Sequence, residues 1–142
     1  MIILDTNVLS ELMRPTPSSR VLNWVAGQPA MELFTTSITE AEIFMGIELL
    51  AQGKRRDQLL RAAEGLFAED LGGRILGFES DAARLFSKIA AYRQLLGRPI
   101  GHADAQIAAI TKLKGAKLAT PNTTDFDNCG IDLVNPWTEG KG

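Results

Sequence analysis

At four places in this chain an acidic side chain stands where a strand should end or a helix should begin. The segments are Ile2-Ile3-Leu4-Asp5-Thr6-Asn7, Thr39-Glu40-Ala41-Glu42, Gly101-His102-Ala103-Asp104-Ala105 and Thr120-Pro121-Asn122-Thr123-Thr124-Asp125-Phe126. Little else can do chemistry: there is one histidine, His102, one cysteine, Cys129, and no glycine-rich phosphate loop. Carboxylates gathered from distant segments repel one another, and a shared site is costly unless a cation or a proton neutralises it. The simplest chemistry for such a set is a divalent metal site, and hard carboxylate oxygens suit Mg2+ or Mn2+.

Each acid also has a purely structural reading. Asp5 follows three apolar residues and suits a helix N-cap. Thr39-x-x-Glu42 and Ser37-x-x-Glu40 both have the form of a capping box, in which the Glu satisfies backbone N–H groups. Asp104 lies in a first helical turn, where the helix dipole favours an acid. Asn122 and Asp125 lie in a stretch rich in Thr, Asn and Asp, residues that commonly make turn hydrogen bonds. Asp127 and Asp132 read as solvated loop acids. What sets the first group apart is joint occurrence in one expected crevice.

That crevice follows from the elements. Ile2 to Leu4 is a short apolar run that reads as a buried strand. Val8-Leu9 and Leu12-Met13 have helical spacing, stopped by Pro15 and Pro17. A second short helix carries Val21, Leu22, Trp24 and Val25, and Glu32 to Thr36 is a second strand. A third helix starts at Thr39 and ends at Gly53. Arg56 to Glu69 is a fourth, with Leu59, Leu60, Ala63, Leu66 and Phe67 on one face. Arg74 to Gly77 is a third strand. Ser80 caps a long helix that Gly97 and Pro99 end, and His102 to Lys114 is the next. Lys117 to Ala119 and Ile131 to Val134 complete a sheet of four to five strands. Strands alternating with helices imply an α/β fold in three layers, α/β/α, around a central parallel sheet. Ligands bind beyond the carboxyl ends of such strands. Asp5 sits at one such end, and Asn122 and Asp125 follow another.

The bulk properties agree. At 142 residues the chain reads as a single domain over residues 1–137, with 138–142 a short polar tail. A lone cysteine allows no internal disulfide, no apolar run is long enough to span a bilayer, and no secretory leader is evident, so a cytoplasmic protein with no membrane partner is expected. Fifteen basic against 17 acidic residues leave a net charge of −2, so a polyanionic partner would need metal and a local arginine patch. Lys54-Arg55-Arg56 reads as a solvated face more readily than as a phosphate contact. Arg93 and Arg98 lie nearer the Asp104 segment and are the better candidates. One histidine excludes two-histidine ribonuclease chemistry, and no Gly-x-Ser-x-Gly elbow marks a serine hydrolase.

Taken together, the acidic segments resemble the PIN-domain ribonucleases, and in particular the VapC-type toxins of bacterial toxin–antitoxin pairs. The likeness rests on Ile3-Leu4-Asp5-Thr6-Asn7, Thr39-Glu40-Ala41-Glu42, Arg98-Pro99-Ile100-Gly101-His102-Ala103-Asp104-Ala105-Gln106-Ile107-Ala108 and Leu118-Ala119-Thr120-Pro121-Asn122-Thr123-Thr124-Asp125-Phe126. The ending Gly130-Ile131-Asp132-Leu133-Val134-Asn135-Pro136-Trp137 extends it over nearly the whole chain. The resemblance implies a PIN-like fold and a Mg2+- or Mn2+-dependent endoribonuclease that leaves 5′-phosphate and 3′-hydroxyl ends. It implies a cognate antitoxin whose C-terminal segment blocks the crevice, and a homodimer. By the same likeness Asp5 and Asp104 hold metal, Glu42 binds metal or orients water, and Asp125 binds metal or its water shell, while Thr6, Asn7, Thr120 and Asn122 support them. Pro121 departs from the family, which usually has arginine after the threonine. The alternative class is a PIN-like module that binds RNA or a protein partner without cleaving; loss of metal-dependent cleavage in Asp5→Asn separates the two.

Overall fold

A computed structural model of the chain describes residues 1–139. Five short strands, β1 (Ile2–Leu4), β2 (Leu33–Thr36), β3 (Ile75–Leu76), β4 (Lys117–Ala119) and β5 (Asp132–Val134), form one sheet in the order β3-β2-β1-β4-β5. Every pairing is parallel. The helices are α1 (Thr6–Leu12), α2 (Ser19–Ala26), α3 (Ser37–Glu48), α4 (Lys54–Gly65), α5 (Ser80–Leu95), α6 (His102–Leu113) and α7 (Pro136–Glu139).

The strand order puts a topological switch between β1 and β4, where chain leaves the two adjacent strands toward opposite sides and opens a crevice at their carboxyl ends. The two central strands alternate between faces. Ile3 and Leu118 are fully buried in a core with Ile89 of α5 and Ile107 and Ile110 of α6. Leu4 and Ala119 join Val8, Leu9, Val21, Ile43, Ile47 and Phe67 in a second core on the other face. Each large aliphatic side chain so buried contributes about 1.5–3 kcal/mol. The three-layer expectation is therefore met, with five strands. Among the described residues no helix is long and apolar enough to cross a membrane.

Several boundaries differ from the sequence reading, each for a local reason. α3 begins at Ser37, because the Thr36 hydroxyl accepts the Thr39 N–H at 3.1 Å and is the cap. The helix ends at Glu48. Gly53, with φ of 154°, instead precedes α4, a backbone conformation that suits glycine. The fourth helix is not continuous to Glu69: residues Leu66–Asp70 form a π-helical turn. A 3₁₀ turn over Ala30–Glu32 takes up the residue that was expected to open β2. Ser80 is inside α5, and its cap is Glu79. Of the expected tail, Thr138 and Glu139 belong to α7, which opens on Pro136, a residue pre-set for a first helical position; 140–142 lie outside the described residues.

Candidate active site

Asp5 is the first residue beyond β1, and its N–H donates to the Ala119 carbonyl at 3.0 Å, so the sheet register carries it to the mouth of the switch. Its side chain is 3% exposed. One carboxylate oxygen accepts the Thr6 N–H at 2.8 Å, which makes Asp5 the cap of α1. The other accepts the Thr120 hydroxyl at 2.8 Å, across 115 positions of sequence. Capping and site membership therefore coexist. Burial pushes the Asp5 carboxyl above its ordinary value; the Thr120 and Thr6 hydrogen bonds oppose that shift, the nearby Glu42 charge adds to it, and Asn7 weakly opposes it. Thr120 follows β4 and is itself fully buried, and its oxygen also accepts the Asn122 N–H at 3.1 Å.

Glu42 is not a capping-box residue, since Thr36 has taken that place. Its Oε1 accepts the Thr6 hydroxyl at 2.6 Å. The Thr39 hydroxyl lies 3.1 Å from that of Thr6. Thr6 has one proton, given to Glu42, so Thr39 is the donor in that pair. The fully buried Thr39 thus backs Glu42 through Thr6, a role the sequence reading missed; its spacing before Glu42 looked like a cap, and nothing local pointed to Thr6.

Asp104 stands in the first turn of α6, half-buried, and its carboxyl is pushed up to about 6. Burial is the largest cause, followed by the charges of Asp5, Asp125 and Glu42; Arg93 pulls the other way. The charges of Asp5, Asp125 and Glu42 thus all reach Asp104, and that of Glu42 reaches Asp5. Asp125 lies exposed in a 3₁₀ turn, Thr123–Phe126, whose buried Phe126 pins it to the core. Asn122 precedes that turn, is exposed, and supplies no side-chain cap to it. Asn7 is exposed on the first turn of α1. Among the described residues, no set of three His, Cys, Asp or Glu side chains is arranged to hold a metal ion by itself. An ion shared here would be held by fewer carboxylates with water completing its shell, the arrangement Mg2+ favours.

The two arginines separate. Arg98 is half-exposed, 3.6 Å from a carboxylate oxygen of Asp127, with its Nη2 donating to the Thr124 carbonyl at 3.5 Å. Arg93 is not a surface contact for RNA: it is 4% exposed, and its guanidinium is engaged by main-chain carbonyls. That expectation, which rested on nearness to the Asp104 segment, is corrected: Arg93 shares the helical face of Phe86, Ile89 and Ala90, and the Asp125 turn covers it. Arg56 pairs with Glu48 at 3.0 Å, whereas Arg55 lines a groove of about 680 Å³ between α1, α3 and α4. Thr6 and Glu42 form the groove's end at the acidic crevice, and Ile43, Ile47 and Leu59 give it an apolar wall. His102 opens α6 as an exposed residue, its ring edge-on to Phe86 at 5.7 Å between centroids.

The chain is similar to bacterial proteins named as a ribonuclease and as a toxin. VapC ribonuclease Y4jK of Sinorhizobium fredii is 39% identical, over 96% of this chain and 98% of that protein. Toxin FitB of Neisseria gonorrhoeae is 36% identical, over 96% of this chain and 99% of that protein. The structure of FitAB bound to the IR36 DNA fragment contains a chain that superposes with a TM-score of 0.89 at 36% identity, covering 96% of each chain. The PIN domain family model matches residues 2–130. With its acids gathered at the β1–β4 switch of a five-stranded parallel sheet, the chain belongs to the PIN domain family.

Proposed function

We propose that this protein is a metal-dependent endoribonuclease toxin, neutralised by a cognate antitoxin, and that Asp5, Glu42, Asp104 and Asp125 form its active site. The observation that carries this reading is the gathering of four carboxylates from four segments at one strand-order switch, where burial and the charges of Asp5, Asp125 and Glu42 together raise the Asp104 carboxyl to about 6. The names ribonuclease and toxin borne by relatives at 39% and 36% identity support the activity and the biological role.

The donor set fits Mg2+ or Mn2+: it is all hard oxygen, and the repulsion on Asp104 is what a cation relieves. Asp5 and Asp104 would hold the ion, with Glu42 and Asp125 as acceptors for its water. When bound, such an ion lowers the pKa of a coordinated water and stabilises charge on a phosphoryl oxygen. The protein's part is positioning. Thr120 and the Thr6 N–H hold both Asp5 oxygens in place, so that carboxylate cannot rotate away. Thr39 and Thr6 present Glu42 in one rotamer. Arg98, half-exposed beside the Asp125 turn, would be the residue to meet a phosphate of RNA. The apolar groove ends at Glu42, and an antitoxin segment lying in it would bar RNA from the acids. A homodimer bound to its antitoxin is the expected resting assembly.

The test is cleavage of a structured RNA by the purified protein in Mg2+ or Mn2+, in chelator, and by Asp5→Asn. Cleavage that needs metal and disappears in the variant supports the reading. Equal cleavage by the variant, or none by wild type in either metal, overturns it.

A further inference from the structure

Arg93 is a buried cation that the chemistry above does not use. It lies in the last turn of α5, 4% exposed, and forms no ion pair among the described residues. A buried charge without a paired carboxylate is costly unless hydrogen bonds and nearby opposite charge compensate it. Both are present. Its Nε donates to the Arg98 carbonyl at 2.8 Å. Its Nη1 donates to the carbonyls of Asp125 at 2.8 Å and Asp127 at 3.0 Å, with the Cys129 Sγ at 3.7 Å.

The position of these acceptors is informative. Arg98 belongs to the short connection leading into α6, which carries Asp104. Asp125 and Asp127 belong to the turn after β4. One planar guanidinium therefore ties together the two segments that bring Asp104 and Asp125 to the crevice. A planar fork with fixed donor directions sets geometry in a way that a flexible ammonium does not. Among the described residues neither the Asp104 nor the Asp125 carboxylate accepts a hydrogen bond, so their placement depends on how the backbone beneath them is held.

We propose that Arg93 is a positioning residue for the active site: by clamping the Arg98, Asp125 and Asp127 carbonyls it sets the spacing of the Asp104 and Asp125 carboxylates and so the affinity of the crevice for a divalent cation. The inference rests on the acidic-site reading given under the proposed function. It assigns Arg93 no contact with RNA or with the ion.

The experiment measures Mn2+ binding by electron paramagnetic resonance in wild type, Arg93→Lys and Arg93→Gln, with circular dichroism and thermal melts in chelator alongside. Arg93→Lys keeps the charge and loses the fork. The expected result is that Arg93→Lys keeps the native circular dichroism spectrum and binds Mn2+ at least about tenfold more weakly, on the scale of losing support for a metal ligand. Arg93→Gln, if it folds, is expected to be weaker still. RNA cleavage by Arg93→Lys should recover toward the wild-type rate as Mn2+ is raised, with the circular dichroism spectrum already native in chelator at the assay temperature, so that refolding by the ion is not the cause. Wild-type Mn2+ affinity in a folded Arg93→Lys overturns the inference and leaves the acidic-site reading intact. Loss of activity in Arg93→Lys that added Mn2+ does not restore also overturns it. Absence of Mn2+ binding by wild type itself overturns both.

Discussion

Asp5 and Glu42 each take a hydrogen bond from a threonine hydroxyl delivered by another element, at 2.8 Å and 2.6 Å. Among the described residues Asp104 and Asp125, on the opposite side of the crevice, take none, and it is the backbone beneath Asp125 that is gripped, through Arg93. The first pair lies beside the sheet, where strand register supplies partners at fixed places. The second pair stands on a helix start and a short turn, where solvent reaches the carboxylates. The difference teaches that this crevice is half preorganised: one side has its carboxylate oxygens oriented in advance, and the other has its charges brought near without being satisfied. A cation would complete the second side more than the first.

The largest effect should come from breaking the oriented side. Asp5→Asn should reduce metal-dependent RNA cleavage by well over ~100-fold, beyond what loss of a mere supporting hydrogen bond to a metal ligand typically costs. The amide can still accept the Thr6 N–H, so the α1 cap and the fold should survive in circular dichroism. A variant that cleaves within a few fold of wild type would remove Asp5 from the mechanism.

Thr120→Val tests the support rather than the ligand. It leaves a buried Asp5 oxygen and the Asn122 N–H without their partner, which should cost about 1–3 kcal/mol in chemical denaturation. Cleavage should fall about 10- to 100-fold. Unchanged stability would mean that the hydroxyl does not orient Asp5.

On the unsatisfied side the expected sign reverses. The folded-state pKa of Asp104 is raised from 3.8 to about 6, so the folded chain binds its proton more tightly than the unfolded chain does. Metal-free protein should therefore become more stable as pH is lowered from about 7 to about 5, with Asp5 acting in the same direction. Asp104→Asn should melt higher than wild type at pH near 7 in chelator, flatten that pH dependence, and lose the rise in melting temperature that millimolar Mn2+ or Mg2+ brings to wild type. A lower melting point for the variant in chelator would show that repulsion is not what Asp104 experiences.

The smallest effect sharpens the comparison within one turn. Asp125→Asn should weaken Mn2+ binding and cleavage about tenfold, equivalent to about 1.4 kcal/mol, because it removes a charge facing Asp104. Asn122→Ala should do less, since its side chain is exposed and caps nothing in the turn. Metal titrations of both variants decide it; a loss confined to Asn122→Ala would reassign the fourth position.

Much of this was readable along the chain. Ile2 to Leu4 and Lys117 to Ala119 are strands with the expected bounds, because a short apolar run ending in a turn-former has few other fates. The acids at Asp5, Glu42, Asp104 and Asp125 were visible as acids at element ends. Caps were less legible. Thr36, Ser37 and Thr39 all lie at the start of α3, and any of them suits a cap; the winner is the one whose backbone leaves the sheet in an extended conformation, at ψ of 156°. Arg93 was chosen for its nearness to the Asp104 segment, but it shares the helical face of Phe86, Ile89 and Ala90, and the turn more than 30 residues on covers it.

The sequence by itself determined the chemistry available: hard oxygen donors, no second histidine, no reactive cysteine pair, and strand and helix periods that demand a parallel sheet between helices. Only the tertiary structure decided which groups meet. Thr120 reaches Asp5 across 115 positions and Thr6 reaches Glu42 across 36, and neither separation leaves a local pattern. Those contacts depend on strand order and register, which arise from the packing of whole faces. Local spacing reports what one element does with its own backbone; an active site assembled from four elements is a property of their arrangement.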